Sequence, residues 1–267
     1  MSRGSTLRAV GASWRVAWMT ALAYRANFLV ESVMTVLAIG WTLLPLLFVF
    51  ETQGEGGTIA GWSWNEALLV TGFFVTLQGL LEAIIEPNLR GLVDDIRKGT
   101  LDFVLLKPVD AQVLVSFRRL VPAKLVHALG GVLLVVYCAA RLEVPPTPVA
   151  ALLATILALS GLAILYAVWV MVVSTAFWFV RVDNLSYLLT STLDAARWPV
   201  QVFRPALRII FTFVLPLGLM TTWPAMALRG MLDPSGFFVA IAVSVLLLAL
   251  SRAVWNVALR HYSSASS

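Results

Sequence analysis

Apolar runs long enough to cross a lipid bilayer fill most of the sequence. A spanning helix needs about 20 mostly apolar residues, and six segments meet or approach this length: about 27–50, 64–85, 119–140, 149–180, 185–203 and 235–259. The 32 residues of 149–180 carry no charge and would extend about 48 Å as one helix. Because the hydrocarbon core is about 30 Å thick, this helix must tilt, kink near Gly161 or project from the bilayer.

The weakest part of the pattern is the stretch between the fourth and the last apolar runs. With a cytosolic N-terminus, four spans return the chain to the cytosol near Arg181, and the basic residues after 235–259 favour a cytosolic C-terminus. The intervening stretch therefore crosses an odd number of times. We predict one crossing at 185–203 and a re-entrant helical hairpin at 206–232 on the outer side. The alternative is two full crossings, which would place the C-terminus outside.

Prolines within 206–232 motivate the hairpin. Pro216 and Pro224 break the apolar pattern that follows Arg208, because proline lacks the backbone donor that a helix interior needs. Broken helices are tolerated at membrane depth only where protein or a water-filled cavity surrounds the freed backbone groups. We therefore expect this segment to pack against protein, although an ordinary proline-kinked span would have the same composition.

A polar island at residues 86–119 interrupts the apolar sequence. Besides Glu86, it contains six basic residues and four aspartates: Arg90, Arg97, Lys98, Lys107, Arg118, Arg119, Asp94, Asp95, Asp102 and Asp110. Such a segment is costly in lipid, so it indicates the cytosolic face. The stretch at 94–102 predicts a short helix that ends at Gly99 and restarts at Thr100. It suits either a short helix that docks into the groove of a soluble partner or an amphipathic loop on lipid headgroups.

Composition supports an all-α integral membrane protein. Of 267 residues, 60% are hydrophobic and 12% are charged, whereas soluble domains carry about 25% charged residues. The six-span topology places 14 of the 19 lysines and arginines on the cytosolic side, in agreement with the positive-inside rule. The net charge of +5 is therefore no argument for a nucleic-acid partner.

The N-terminal segment 1–26 precedes a single transmembrane domain at 27–267. Trp14, Trp18 and Leu22 fall on one helical face, which predicts an amphipathic interfacial helix in contact with membrane lipids. The alternative is an extended start of the first span.

Catalytic and metal-binding motifs are absent from the sequence: it contains no GxxxxGK[ST], HExxH, CxxC or GxSxG. We therefore predict no catalytic residue, no metal site and no cofactor in this chain. Charged groups within the apolar runs are costly and often functional. Glu82, Glu86 and Lys124 are candidates for a polar relay between cytosolic motion and the spans. The alternative is that each is solvated at headgroup depth.

Three segments resemble the permease subunits of type-2 ABC exporters, in particular the six-span bacterial permeases of uncharacterised substrate. They are AYRANFLVE at 23–31, IRKGTLDFVLLKP at 96–108 and FVLPLGLMTTWPA at 213–225. Their order and spacing agree with that family along nearly the whole chain. The resemblance implies six spans, a cytosolic coupling helix between spans 2 and 3, and re-entrant helices before span 6.

The same resemblance implies how the protein works. Such permeases form homo- or heterodimers and dock on separate ABC ATPase subunits, which bind ATP and Mg²⁺. It implies a multi-pass protein of the bacterial inner membrane with both termini cytoplasmic. By likeness, the coupling helix comprises Asp94, Asp95, Ile96, Arg97, Lys98, Gly99, Thr100, Leu101 and Asp102, with Arg97, Lys98, Leu101 and Asp102 at the contact. A secondary transporter or channel that acts without an ATPase is the alternative, and the substrate does not follow from the sequence.

Overall fold

The computed structural model describes residues 3–54, 57–179 and 183–262, and the side chains of residues 3–7 and 183–186 are not described. Within these residues the chain is helical and forms no β-strand. The α-helices are α1 (Arg3–Ala23), α2 (Arg25–Glu51), α3 (Trp64–Leu80), α4 (Glu86–Arg97), α5 (Asp102–Leu105), α6 (Ala111–Phe117), α7 (Leu125–Ala139), α8 (Pro148–Ser174), α9 (Asp183–Leu193), α10 (Pro205–Ile209), α11 (Leu217–Met220), α12 (Thr222–Leu228) and α13 (Pro234–Arg260).

Five helical stretches in the described residues are long and apolar enough to cross a membrane: Arg25–Glu51, Trp64–Arg97, Pro122–Ala139, Pro148–Phe177 and Pro234–Arg260. They coincide with five of the six predicted spans and confirm the all-α membrane fold. The second stretch is longer than the predicted 64–85, because a π-turn at Leu81–Ile85 joins α3 to α4 without a break. Residues 185–203 form no long helix, so the count of six spans stays a prediction.

Most of the long apolar run at 149–180 lies in one uninterrupted α-helix, Pro148–Ser174, which passes through Gly161. This glycine permits a close approach, because a Cβ at position 161 would lie 2.8 Å from the Cα of Met220 in α11. The broken segment 205–228 therefore packs directly on the middle of α8. Arg181, the residue expected to mark the cytosolic end of this run, lies outside the described residues.

The ends of the bundle can be assigned from contacts. The Trp178 and His261 rings, which follow α8 and α13, lie 5.3 Å apart, so both helices end on the same side. Tyr262, next to His261, interacts with Asp102 of the polar island, so this is the side that carries the island. We call this side the island end. At the opposite side, the far end, Arg229 forms an ion pair with Glu66 at 2.6 Å. The chain between Trp178 and Arg229 therefore passes from the island end to the far end.

That passage is made by a short helix and irregular turns. Helix α9 is followed by a 3₁₀ turn at Asp194–Arg197, and the Arg197 carbonyl accepts a hydrogen bond from Thr71 of α3 at 3.1 Å. The segment 205–214 that follows, which includes Arg208, is mostly exposed. Pro216 and Pro224 are buried, together with most of α11 and α12.

Buried threonines satisfy the backbone of this broken region. Thr221 donates to the Ala196 carbonyl at 2.8 Å, and the Thr222 hydroxyl accepts from the Val200 amide at 3.1 Å. Helix α12 packs against α8 and α3. These bonds satisfy backbone groups of the two 3₁₀ turns on either side of Pro199, and such satisfaction is the condition for irregular backbone at membrane depth.

The N-terminal helix is separate from the first long helix, because Tyr24 breaks the helical geometry between α1 and α2. The Trp14 indole donates a hydrogen bond to the Phe117 carbonyl at 2.7 Å. Of the three residues predicted to share a face, only Trp14 packs on the polar island, whereas Trp18 and Leu22 are exposed.

Candidate functional site

The candidate site is the polar island, and the π-turn at Leu81–Ile85 fixes where it begins. A π-turn shifts the helical hydrogen bonds by one residue, which frees backbone groups. The Ala83 carbonyl accepts from the Val121 amide at 2.9 Å. The Asn88 side chain donates to the Ile84 carbonyl at 2.6 Å. The chain that returns from the island is thus anchored on the turn through which it leaves the bundle.

The segment predicted as a coupling helix, Asp94–Asp102, is not one helix. Residues 94–97 end α4, residues 98–101 form a turn, and Asp102 begins α5. The helix ends as the sequence predicts, because Gly99 has a φ of 66°. Its amide donates to the Ile96 carbonyl at 3.2 Å, and the Thr100 amide donates to the Asp95 carbonyl at 2.9 Å. This bond pattern is a Schellman motif, which glycine favours.

Two residues of the predicted coupling helix, Asp95 and the predicted contact residue Leu101, hold the turn instead of facing outward. Asp95 forms an ion pair with Arg118 at the end of α6, and its carboxylate also accepts from the Thr100 hydroxyl at 3.2 Å. Leu101 is fully buried, so its assignment to a partner contact is wrong. Its apolar side chain belongs to the core because the turn folds back over it.

The exposed surface of the turn differs from the predicted one. Asp94, Arg97 and Lys98 are exposed, in agreement with a surface role. The largest exposed apolar groups of the island are Phe103 and Leu106, at 69% and 81% exposure, and sequence reasoning missed both. A signal was present: Phe103 and Leu106 are three positions apart, so in any helix they share a face, and the polar residues Asp102 and Lys107 flank them.

Helix α6 connects the island to two long helices. Arg252 of α13 forms a bidentate ion pair with Asp110 (Nη1 to Oδ1 at 3.0 Å and Nη2 to Oδ2 at 2.6 Å), and its Nη1 also donates to Gln112 at 2.8 Å. Gln112 donates to the Tyr166 hydroxyl of α8 at 3.3 Å, and this hydroxyl also bonds Ser116 at 2.9 Å. Sequence reasoning treated Arg252 only as a topological marker.

Asp110 serves a second purpose in this network. Its carboxylate accepts from the Val113 amide at 3.1 Å and so caps the N-terminus of α6. The bond from the Arg252 guanidinium, together with this amide, holds the pKa of the Asp110 carboxyl below its ordinary value. The carboxylate is therefore fully charged at neutral pH.

Two of the three predicted relay residues meet. Glu82, within the π-turn, forms an ion pair with Lys124 at 3.1 Å and lies 3.6 Å from the buried His127 ring. Gln78 also donates to Glu82 at 3.0 Å. Glu86 does not reach Lys124; it pairs with Arg90, one turn further along α4. Glu82, Glu86 and Lys124 nevertheless line one crevice of about 430 Å³.

The far end carries a second polar cluster. Arg229, after α12, pairs with Glu66 in the first turn of α3 and stacks 4.4 Å from the centre of the Trp62 ring. Glu66 also accepts from the Ser63 amide at 2.8 Å, which completes a capping box. These contacts fasten the end of the broken segment to the start of α3, next to a cavity of about 560 Å³.

The described residues contain no group of three or more His, Cys, Asp or Glu side chains placed to hold a metal ion. A comparison with protein families matches residues 36–266 to the model described as ABC-2 family transporter protein. No curated protein and no solved structure matches the chain. The family match covers all the long helices except the start of α2, and it includes the polar island and the broken segment.

Proposed function

The chain belongs to the ABC-2 transporter family, a family of membrane transport components, and from this premise we propose that it is the permease subunit of an ATP-driven exporter. Two permease halves, identical or different, enclose the substrate path. Separate ABC ATPase subunits bind ATP and Mg²⁺ and dock on the polar island. The protein lies in the bacterial inner membrane, and the island and both termini are cytoplasmic.

One observation carries this proposal: a braced turn at the island end presents an exposed apolar pair with charged neighbours. Phe103 and Leu106 are more exposed than apolar groups of a water-facing surface usually are. Lys98 and Lys107 beside them are exposed as well. An exposed apolar group with a polar rim is typical of a protein contact. We call the Phe103–Leu106 pair the knob.

The docking surface that we propose is thus shifted from the one expected from the sequence. It comprises the exposed part of 94–102 and the apolar pair of α5. Asp95 and Leu101 support it from beneath. Asp102 is half-buried and lies beside Tyr262 of the C-terminal segment, whose pKa is raised by burial and by the Asp102 charge.

The experiment is co-purification of this chain with a co-expressed ABC ATPase subunit, followed by an ATPase assay in nanodiscs. The double variant Phe103→Ala/Leu106→Ala removes the knob, and Arg97→Glu reverses one charge beside it. The matched control is Phe238→Ala/Leu246→Ala on α13, where the same residue types are 70% and 65% exposed on a helix expected to face lipid.

We expect the knob variant to lose at least about tenfold in affinity for the ATPase, because buried aromatic anchors dominate protein contacts. The control should bind as the wild type does. If both double variants bind equally well, the docking assignment is wrong. If the chain alone transports solutes in liposomes without any ATPase, the alternative of a secondary transporter or channel replaces the exporter.

A further inference from the structure

Helix α6 is joined to its surroundings by two different kinds of contact. Toward α4 the contacts are buried: Asn88 is fully buried and bonds the backbone of Arg119 through both ends of its amide. The Asp95–Arg118 ion pair is mostly buried too, with side-chain exposures of 18% and 21%. Buried, multiply bonded groups are expensive to separate, so α4, α5 and α6 form one stiff unit.

Toward α13 the contact is exposed. The Asp110 and Arg252 side chains are 37% and 46% exposed, and water competes for both. Exposed ion pairs contribute little net stability, although bidentate geometry makes this one specific. The contact therefore orients the island against α13, and little free energy is needed to open it.

Tyr166 provides a different link, to α8. Its hydroxyl bonds Ser116 and Gln112, which are 1% and 6% exposed, and its ring stacks on Phe117 at 5.8 Å between centroids. Gln112 bonds both Tyr166 and Arg252, so the links to α8 and α13 share one side chain.

We propose that Arg252 is a positioning residue that makes α13 follow the polar island, with Tyr166 as the pivot that stays attached when the Asp110–Arg252 contact opens. This inference rests on the proposed function for its purpose, because the island moves only if an ATPase moves it. The Asp110–Arg252 contact, which we call the joint, is a property of this chain. Loss of the guanidinium leaves the island intact and loosens its link to α13, where the contact of Asp102 with Tyr262 remains.

The test places pairs of spin labels on the chain in nanodiscs. Double electron–electron resonance then measures the distance between the two labels of each pair. One label pair, Val113→Cys and Val257→Cys, reports the distance between α6 and α13; the other, Asp94→Cys and Val113→Cys, reports the interior of the island. All three positions are exposed, whereas the native Cys138 is fully buried. Each pair is measured in the wild type and in Arg252→Gln, Arg252→Lys and Asp110→Asn.

We expect Arg252→Gln and Asp110→Asn to broaden the α6–α13 distance distribution at least about twofold and to leave the interior distribution unchanged. Asn at position 110 still caps α6, so loss of the helix cannot explain the change. Lys at position 252 keeps the charge but not the bidentate geometry, and an intermediate width is expected. An unchanged α6–α13 distribution in both neutral variants, or equal broadening inside the island, overturns the proposal.

A second arm uses the complex with the ATPase. On addition of ATP, the wild-type α6–α13 distance should stay constant because both helices move together, and in Arg252→Gln it should change. A purely stabilising role for Arg252 does not predict this difference, and a change in the wild type contradicts the joint. If no ATPase binds, the exporter proposal fails, while the first arm still decides the joint.

Discussion

The side-chain amide of Asn88 pairs with the backbone of Arg119 as one peptide group pairs with another. Asn88 Nδ2 donates to the Arg119 carbonyl at 2.6 Å, and the Arg119 amide donates to Asn88 Oδ1 at 2.7 Å. The same Nδ2 also donates to the Ile84 carbonyl beside the π-turn. One buried side chain thus joins the two segments of the chain through which the polar island leaves and re-enters the bundle.

Replacement of Asn88 by Ala should destabilise the protein more than most single substitutions do. It leaves the amide and the carbonyl of Arg119 without their partner in a partly buried site, and an unpaired group that water cannot fully reach costs about 1–3 kcal/mol. We expect a loss of about 2–4 kcal/mol in the free energy of unfolding, measured by denaturation in mixed micelles. Thr42→Ala is the control: Thr42 is only half-buried and its hydroxyl donates within its own helix, so its change should stay below about 0.5 kcal/mol.

Glycines at the crossing of α3 and α7 should be equally intolerant of substitution. A Cβ on Gly79 would lie 2.7 Å from the Cα of Ala128, whereas a Cβ on Gly40 of α2 would meet no atom within 4 Å. Small residues allow membrane helices to approach closely, and overpacking costs about 1–3 kcal/mol or more. We predict that Gly79→Ala lowers the unfolding temperature and that Gly40→Ala leaves it unchanged or raises it. Equal effects would refute the packing argument.

Much of the fold could be predicted because apolar length and membrane thickness decide it. The runs that became α2, α7, α8 and α13 are long and nearly free of charge, and few arrangements suit such segments. The continuation of α3 into α4 could not be predicted, because the charged residues after Glu86 indicated a cytosolic loop. These charges lie mostly on the exposed face of a helix whose other face packs against α6 and α8, which no local pattern specifies.

The site could be predicted less well, because side-chain exposure depends on how the chain folds back. Gly99 was identified as a helix terminator from its residue type alone, and its positive φ agrees. The burial of Leu101 and the exposure of Phe103 depend on the turn between α4 and α6, and that turn is held by contacts 23 and 31 positions apart in sequence. The pairing of Arg252 with Asp110 spans 142 positions.

The Glu82–Lys124 pair should show a coupling that the Glu86–Arg90 pair does not. Lys124→Met leaves the Glu82 carboxylate in a site where it is only 21% exposed, and an uncompensated charge at that depth is costly. We expect a loss of about 1–3 kcal/mol, partly recovered in the double variant Glu82→Gln/Lys124→Met. In the second pair Glu86 is 19% exposed, but its partner Arg90 is 68% exposed. Because water screens the Arg90 guanidinium, we expect a Glu86–Arg90 coupling below about 1 kcal/mol. A double-mutant cycle on each pair measures the coupling, and equal couplings would count against a relay at Glu82.

The Asp110–Arg252 contact should open in acid and not near neutral pH. Because the guanidinium holds the pKa of Asp110 below its ordinary value of about 3.9, the contact is complete above that value and is lost as the pH falls through the lowered pKa. The other groups that hydrogen-bond the carboxylate, the backbone amides of Val113 and Gln112, do not titrate. The α6–α13 distance distribution should therefore stay constant from about pH 8 to pH 5 and broaden only below about pH 4. Asp110→Asn should remove this dependence, and a transition centred above pH 5 would show that another group controls the contact.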